Sequence, residues 1–261
     1  MRRASIWRGP LPFVVSGALI AVAIGWSIVS SQGGPAPAPT GTAVAAVAAS
    51  VTSVPPDVLD RVGSGGVADP LRPTGLPPLR GASGRPLIVY VGAEYCPYCA
   101  SERWSLIVAL SRFGTFRDLA LTRSSSSDVF PDTPSFTFRG SSYSSDAIEF
   151  TSVETADRAG APLDSPSPVQ AASMSRSDPQ GSIPFLSIAD QFVAVGSGYP
   201  PDVLKGRTWS EIAAQLRDAS SPVARAVLGN ANRITAAICR ATGDAPASVC
   251  ASSSVRGLAG R

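Results

Sequence analysis

Apolar residues run without a break from Pro86 to Val91, and an amphipathic stretch, Ala100–Phe113, follows shortly after. A continuous apolar run predicts a strand covered on both faces. The stretch after it predicts a helix with Trp104, Ile107, Val108 and Leu110 toward a core, with Glu102, Arg103 and Arg112 outward, and with Gly114 as its stop. Asp118–Thr122, Ser135–Phe138 and Ala147–Val153 are shorter strand candidates. Gly181–Ile188 and Phe192–Gly196 flank Ala189-Asp190-Gln191 and predict a hairpin entered through Pro184. Thr208 can cap a helix over Trp209–Arg217, with Glu211 completing a capping box, and Pro222–Cys239 predicts a second, Ala-rich helix. The fold class is therefore α/β.

The ends of the chain read differently. Leu11–Ser30 carries no charge and follows Arg2, Arg3 and Arg8. As a helix it would span about 30 Å, the thickness of a bilayer core. The preceding arginines would keep residues 1–10 in the cytoplasm and export the rest, so the expectation is a cell-membrane protein with one anchor and an extracytoplasmic domain. A cleaved signal peptide is the alternative, although its apolar region is usually only about 7–15 residues long. Residues 31–53 hold almost only Gly, Pro, Ala, Ser, Thr and Val and read as a flexible tether. A short helix begins near Pro55-Pro56-Asp57. Residues 63–85 read as loop, as do residues 159–180 apart from one short helix.

Composition narrows the chemistry. The chain has no histidine, which removes Ser-His-Asp triads, Cys-His proteases and most catalytic zinc sites. The three arginines at the start account for the whole net charge of +3. A neutral domain with no basic cluster argues against nucleic-acid binding.

Cys96-Pro97-Tyr98-Cys99 lies at the junction between the buried strand and the helix. A helix start favours a thiolate on the first sulfur through its unpaired N–H groups and dipole. The second sulfur is close enough to attack a mixed disulfide formed on the first. C-x-x-C is also half of a zinc site, but the remaining cysteines, Cys239 and Cys250, do not match zinc-ribbon spacing, so no metal is expected. Cys96 is assigned as nucleophile and Cys99 as resolving thiol, against the alternative of a structural disulfide. Tyr95 and Tyr98 flank the pair and could form a substrate rim. Glu94 could relay a proton or be a solvated acid beside the site. Cys239 and Cys250 fit a structural disulfide stapling the end of the last helix, worth about 3 kcal/mol by chain entropy. A second redox pair is the other reading. Asp146, Glu149 and Glu154 are too spread out to suggest a metal site.

Strand, C-x-x-C at a helix start, late hairpin behind Pro184 and terminal helix together resemble the thioredoxin superfamily. More narrowly, Tyr90–Trp104, Ala109–Phe116, Gly181–Phe185 and Ala236–Cys239 resemble an uncharacterised family of membrane-anchored thioredoxin-like proteins, over about residues 54–252. The resemblance implies a cis Ile183–Pro184 bond beside the cysteine pair, with the backbone of Ile183 offered to a substrate. It also implies a thioredoxin-like domain over 54–220 with an insertion at about 124–180, and a C-terminal extension over 221–261. Tyr95 departs from the tryptophan common before the first cysteine, and Pro97-Tyr98 is the dipeptide of glutaredoxins. The expected function is a membrane-tethered thiol–disulfide oxidoreductase, without cofactor, acting on protein thiols or disulfides outside the cytoplasm and recharged by a membrane redox partner. The alternatives are a non-enzymatic thioredoxin-like binding module and, from the Pro-Tyr dipeptide alone, a glutathione-dependent enzyme.

Overall fold

The computed structural model describes residues 40–258. The candidate anchor, Leu11–Ser30, lies outside the described residues. Among those described, no single helix is long and apolar enough to cross a membrane.

In chain order the elements are α1 (Thr42–Thr52), α2 (Pro56–Val62), β1 (Arg72–Pro73), β2 (Leu87–Gly92), α3 (Pro97–Ser111), β3 (Gly114–Arg117), β4 (Ala120–Arg123), β5 (Pro134–Thr137), β6 (Ser142–Ser145), β7 (Glu149–Glu154) and α4 (Pro168–Ser177). They continue with β8 (Phe185–Ile188), β9 (Phe192–Val195), a 3-10 turn (Pro201–Leu204), α5 (Trp209–Gln215), α6 (Pro222–Thr242), α7 (Ala247–Cys250) and α8 (Ser253–Arg256). The fold is mixed α/β. One five-stranded mixed sheet runs β1-β9-β8-β2-β7, and β3–β6 and β4–β5 form separate two-stranded ribbons.

All of β2 is buried, as its unbroken apolar run requires. Ile88 and Tyr90 face a core shared with Trp104, Ile107 and Leu110 of α3 and with Val227, Ile234 and Ile238 of α6. Leu87, Val89 and Val91 face the other way, toward Val153, Met174 of α4, Phe185 and Val193. β7 runs parallel to β2, while β8 is antiparallel to it with Val91 opposite Phe185. β9 then turns back along β8. The C-terminal end of β2 therefore delivers the cysteine motif at one end of the sheet, the end where Pro184 enters β8.

Three expectations are corrected. The tether of residues 31–53 is helical over Thr42–Thr52, with Val47 and Val51 buried and the helix packed on α3 and α5. The alanines that lack side chains for a core of their own are strong helix formers, and two valines suffice to dock one face. The stretch 124–180 is not one insertion. β5 and β6 stand in the ribbons, but β7 completes the main sheet beside β2, and α4 covers it. Finally, Glu102 and Arg103 are fully buried and Arg112 is half-buried, because α3 is enclosed on nearly every side.

Candidate active site

Cys96 is the N-cap of α3, and Pro97 opens the first turn, where its missing N–H costs nothing. The N–H of Cys99 points back at the Cys96 sulfur, 3.2 Å away. Both cysteines are free thiols. Cys96 is 6% exposed and Cys99 is 0% exposed, so only the first sulfur has a path to solvent.

The local electrostatics separate the two further. The Cys96 thiol is lowered to about 7, because hydrogen bonds from the Cys99 side chain and backbone and the charge of Arg103 together outweigh the cost of burial. The Cys99 thiol is pushed well above its ordinary value by burial, and the adjacent Cys96 sulfur adds to that. A poised outer thiolate and a protonated inner thiol are the two states that sequential thiol–disulfide exchange uses.

Behind the motif lies a buried ion pair. Arg103 sends Nε to Glu154 Oε1 at 2.8 Å and a terminal nitrogen to Glu154 Oε2 at 2.5 Å, a bidentate clamp between α3 and the end of β7. The same nitrogen donates to the carbonyl of Ala93 at 2.7 Å, in the loop that leads to Cys96. Burial opposes the guanidinium charge, but Glu154 and the neighbouring Tyr90 and Cys99 more than offset it and raise the pKa of Arg103. Tyr90 lies under this site with its hydroxyl buried and without a hydrogen-bond partner. Gly92 makes room for it, since a Cβ there would come within 2.4 Å of the hydroxyl.

One turn deeper, Glu102 Oε2 accepts the N–H of Gly198 at 3.1 Å and Nδ2 of Asn230 at 2.9 Å. Glu102 Oε1 and Asn230 Oδ1 are both buried without partners. Burial raises the Glu102 carboxyl to about 7. Loop 196–199 joins this carboxyl to the hairpin, because Gly196 donates to the carbonyl of Pro184 at 2.8 Å.

Of the residues marked from sequence, Tyr98 is exposed at the rim and meets Phe130 edge-on at 5.9 Å. Tyr95 is half-buried and lines a cleft of about 550 Å³ with Ser125, Asp128, Val129 and Arg158. Its carbonyl accepts the N–H of Ser125 at 2.8 Å, so the 124–133 loop is fastened to the motif. Glu94 is half-buried, and its backbone N–H donates to Ala156 at 2.9 Å. Trp104 is core and donates to the carbonyl of Pro134 at 2.9 Å. The Ile183–Pro184 bond is cis, as the resemblance implies. Pro184 is buried and Ile183 is half-buried against the Leu87–Val89–Val91 face. Cys239 and Cys250 form a disulfide, with Cα atoms 5.6 Å apart. Among the described residues no group of three or more His, Cys, Asp or Glu side chains could hold a metal.

Arg103, Glu154 and Glu102 are site residues that the sequence pattern does not single out. The wheel of α3 held a signal for Arg103 alone, because Arg103 and Arg112 lie about 180° apart on a helix and cannot share one outward face. Nothing in the sequence pairs Arg103 with Glu154, 51 residues on.

Residues 81–173 match the model of a family described as a domain of unknown function (DUF929). The matched segment carries the cysteine motif, Arg103 and Glu154, and ends short of Pro184. No curated protein and no solved structure matches the chain.

Proposed function

We propose that the chain is a thioredoxin-like thiol–disulfide oxidoreductase working through Cys96 and Cys99, tethered to the cell membrane by Leu11–Ser30 with its domain outside the cytoplasm. The observation that carries the chemistry is the asymmetry of the pair: an N-cap sulfur lowered to about 7 and a fully buried partner 3.2 Å behind it through its N–H. The thioredoxin-like reading is supported by the strand order β9-β8-β2-β7, the helix between parallel β2 and β7, and the cis-proline hairpin.

In the reducing direction the Cys96 thiolate attacks one sulfur of a substrate disulfide. The Cys96–substrate disulfide forms, and the first substrate sulfur leaves as a thiolate. Cys99 then gives up its proton and attacks the Cys96 sulfur. The Cys96–Cys99 disulfide forms, and the second substrate sulfur departs with the proton. Two electrons pass from the dithiol to the substrate. An oxidase runs the same steps backward, starting from the Cys96–Cys99 disulfide, and a membrane partner of suitable potential would recharge either form. In this reading Ile183, Pro184, Tyr95 and Tyr98 would hold the substrate chain.

The test is to trap the intermediate. Cys99→Ala in the full chain should accumulate mixed disulfides to Cys96 in cells, which dithiothreitol releases. Absence of such adducts, with Cys99→Ala folded and exported, would favour a binding module on the same scaffold.

A further inference from the structure

The far end of α3, about 20 Å from Cys96 along the helix axis, carries a second anomaly. A cavity of about 230 Å³ lies there between α1, α2, α3 and α7. Val51, Leu59, Val108 and Val249 give it apolar walls, and Ser111 and Arg112 give it a polar end. The Arg112 guanidinium is held by two neutral acceptors, Asn232 Oδ1 at 3.2 Å and Ser252 Oγ at 3.0 Å. Among the described residues it makes no ion pair. Asp60 acts on it only at longer range, and one Asp60 oxygen already accepts the N–H of Ser254 at 3.0 Å.

Asn232 is itself fixed, since its Nδ2 donates to the carbonyls of Leu59 and Gly63 at 2.9 and 2.8 Å. The cation is therefore held in place rather than left to swing out to water. Burial lowers it to about 10, and the charge of Asp60 offsets only part of that cost. The hydroxyl of Ser111 is buried beside it without any hydrogen-bond partner. A positioned cation with no carboxylate in contact, a donor without its acceptor and an apolar wall together describe half of a recognition site.

We infer that this cavity binds a small organic monocarboxylate, its carboxylate on Arg112 and Ser111 and its hydrocarbon part against Val51, Leu59, Val108 and Val249. The volume corresponds to about seven or eight waters, which limits the ligand to about that many non-hydrogen atoms. A carboxylate fits better than a phosphate, because one guanidinium and one hydroxyl match a single negative charge. This site is separate from the cysteine pair and stands or falls apart from the proposed redox activity.

Calorimetric titration of the full chain in detergent with hexanoate, and with hexanamide as its neutral counterpart, tests the inference. Hexanoate should bind saturably and hexanamide about tenfold or more weaker, the loss expected for one charge-assisted contact. Arg112→Gln removes the charge and keeps a polar side chain at the cavity end, and should erase that preference. Ser248→Phe places a bulky ring on the exposed rim of the cavity, leaves Arg112 untouched, and should abolish binding of both compounds. No saturable hexanoate binding, equal binding of the amide, or binding unaffected by Ser248→Phe would each overturn the inference. Should Arg112→Gln fail to fold, the Ser248→Phe and hexanamide arms decide it.

Discussion

Single atoms set Cys96 and Cys99 apart. The first sulfur receives hydrogen bonds and feels Arg103, and the second is sealed by packing. Iodoacetamide applied to the reduced protein should therefore label Cys96 first, with a rate that rises through a midpoint near pH 7, while Cys99 stays unlabelled there. Mass mapping reads this out, and equal labelling would remove the assignment of roles. Glu102 gives a second prediction at the same scale. Its folded carboxyl, near 7, lies above the ordinary value of 4.5, so the folded state holds a proton that the unfolded chain releases. That contribution is complete below about pH 4.5 and is lost as pH rises through about 7, by up to about 3 kcal/mol. Gly198 fits only because it is glycine, as a Cβ would reach within 2.1 Å of Asn230 Oδ1. Glu102→Gln cannot ionise, so its denaturation midpoint should vary less between pH 5 and 8 than that of the parent. Parallel profiles would show that Glu102 is already ionised.

Among the elements, α3 shows both what was legible in the chain and what was not. The strand before it, its start at Cys96 and its core residues Trp104, Ile107 and Leu110 follow from apolar runs and from Pro97. The burial of Glu102 and Arg103 does not, because hydropathy sends charges outward, and only tertiary partners from β7, α6 and the 196–199 loop keep them in. The same limit hid α1, whose alanines and valines satisfy a tether and a docked helix equally well. Conversely, the hairpin over β8 and β9 was legible from its two apolar runs around Ala189-Asp190-Gln191, whereas the cis Ile183–Pro184 bond followed from the resemblance alone. Arg103→Met should strand a buried carboxylate at Glu154 and cost about 3–5 kcal/mol, while Arg103→Met/Glu154→Leu should recover much of it. In the double variant the Cys96 thiolate, followed by its absorbance at 240 nm, should titrate at higher pH than in the parent, since a favourable positive charge is gone. An unchanged midpoint would restrict the ion pair to a structural role.

At the level of the whole molecule, the site end and the staple end are distinct. The Cys239–Cys250 disulfide closes the end of α6 onto α7, a region separated in sequence from the cysteine motif. Its replacement by alanines should lower stability by about 2–5 kcal/mol and leave the chemistry at Cys96 intact in the folded fraction. A folded but inactive double variant would make it a redox relay. The anchor expectation is checked by alkaline carbonate extraction, which should leave the full chain with the membranes. Release, or a mature N-terminus near Gly33, would replace the anchor with a cleaved leader.

The central claim is that Cys96 and Cys99 exchange disulfides with other proteins. Dithiothreitol-driven reduction of insulin by the full chain tests it most directly, with Cys96→Ser as control. The expected result is turnover well above the dithiothreitol background, lost in Cys96→Ser and retained in Cys239→Ala/Cys250→Ala. Turnover no different between parent and Cys96→Ser, in proteins of equal fold, would contradict it.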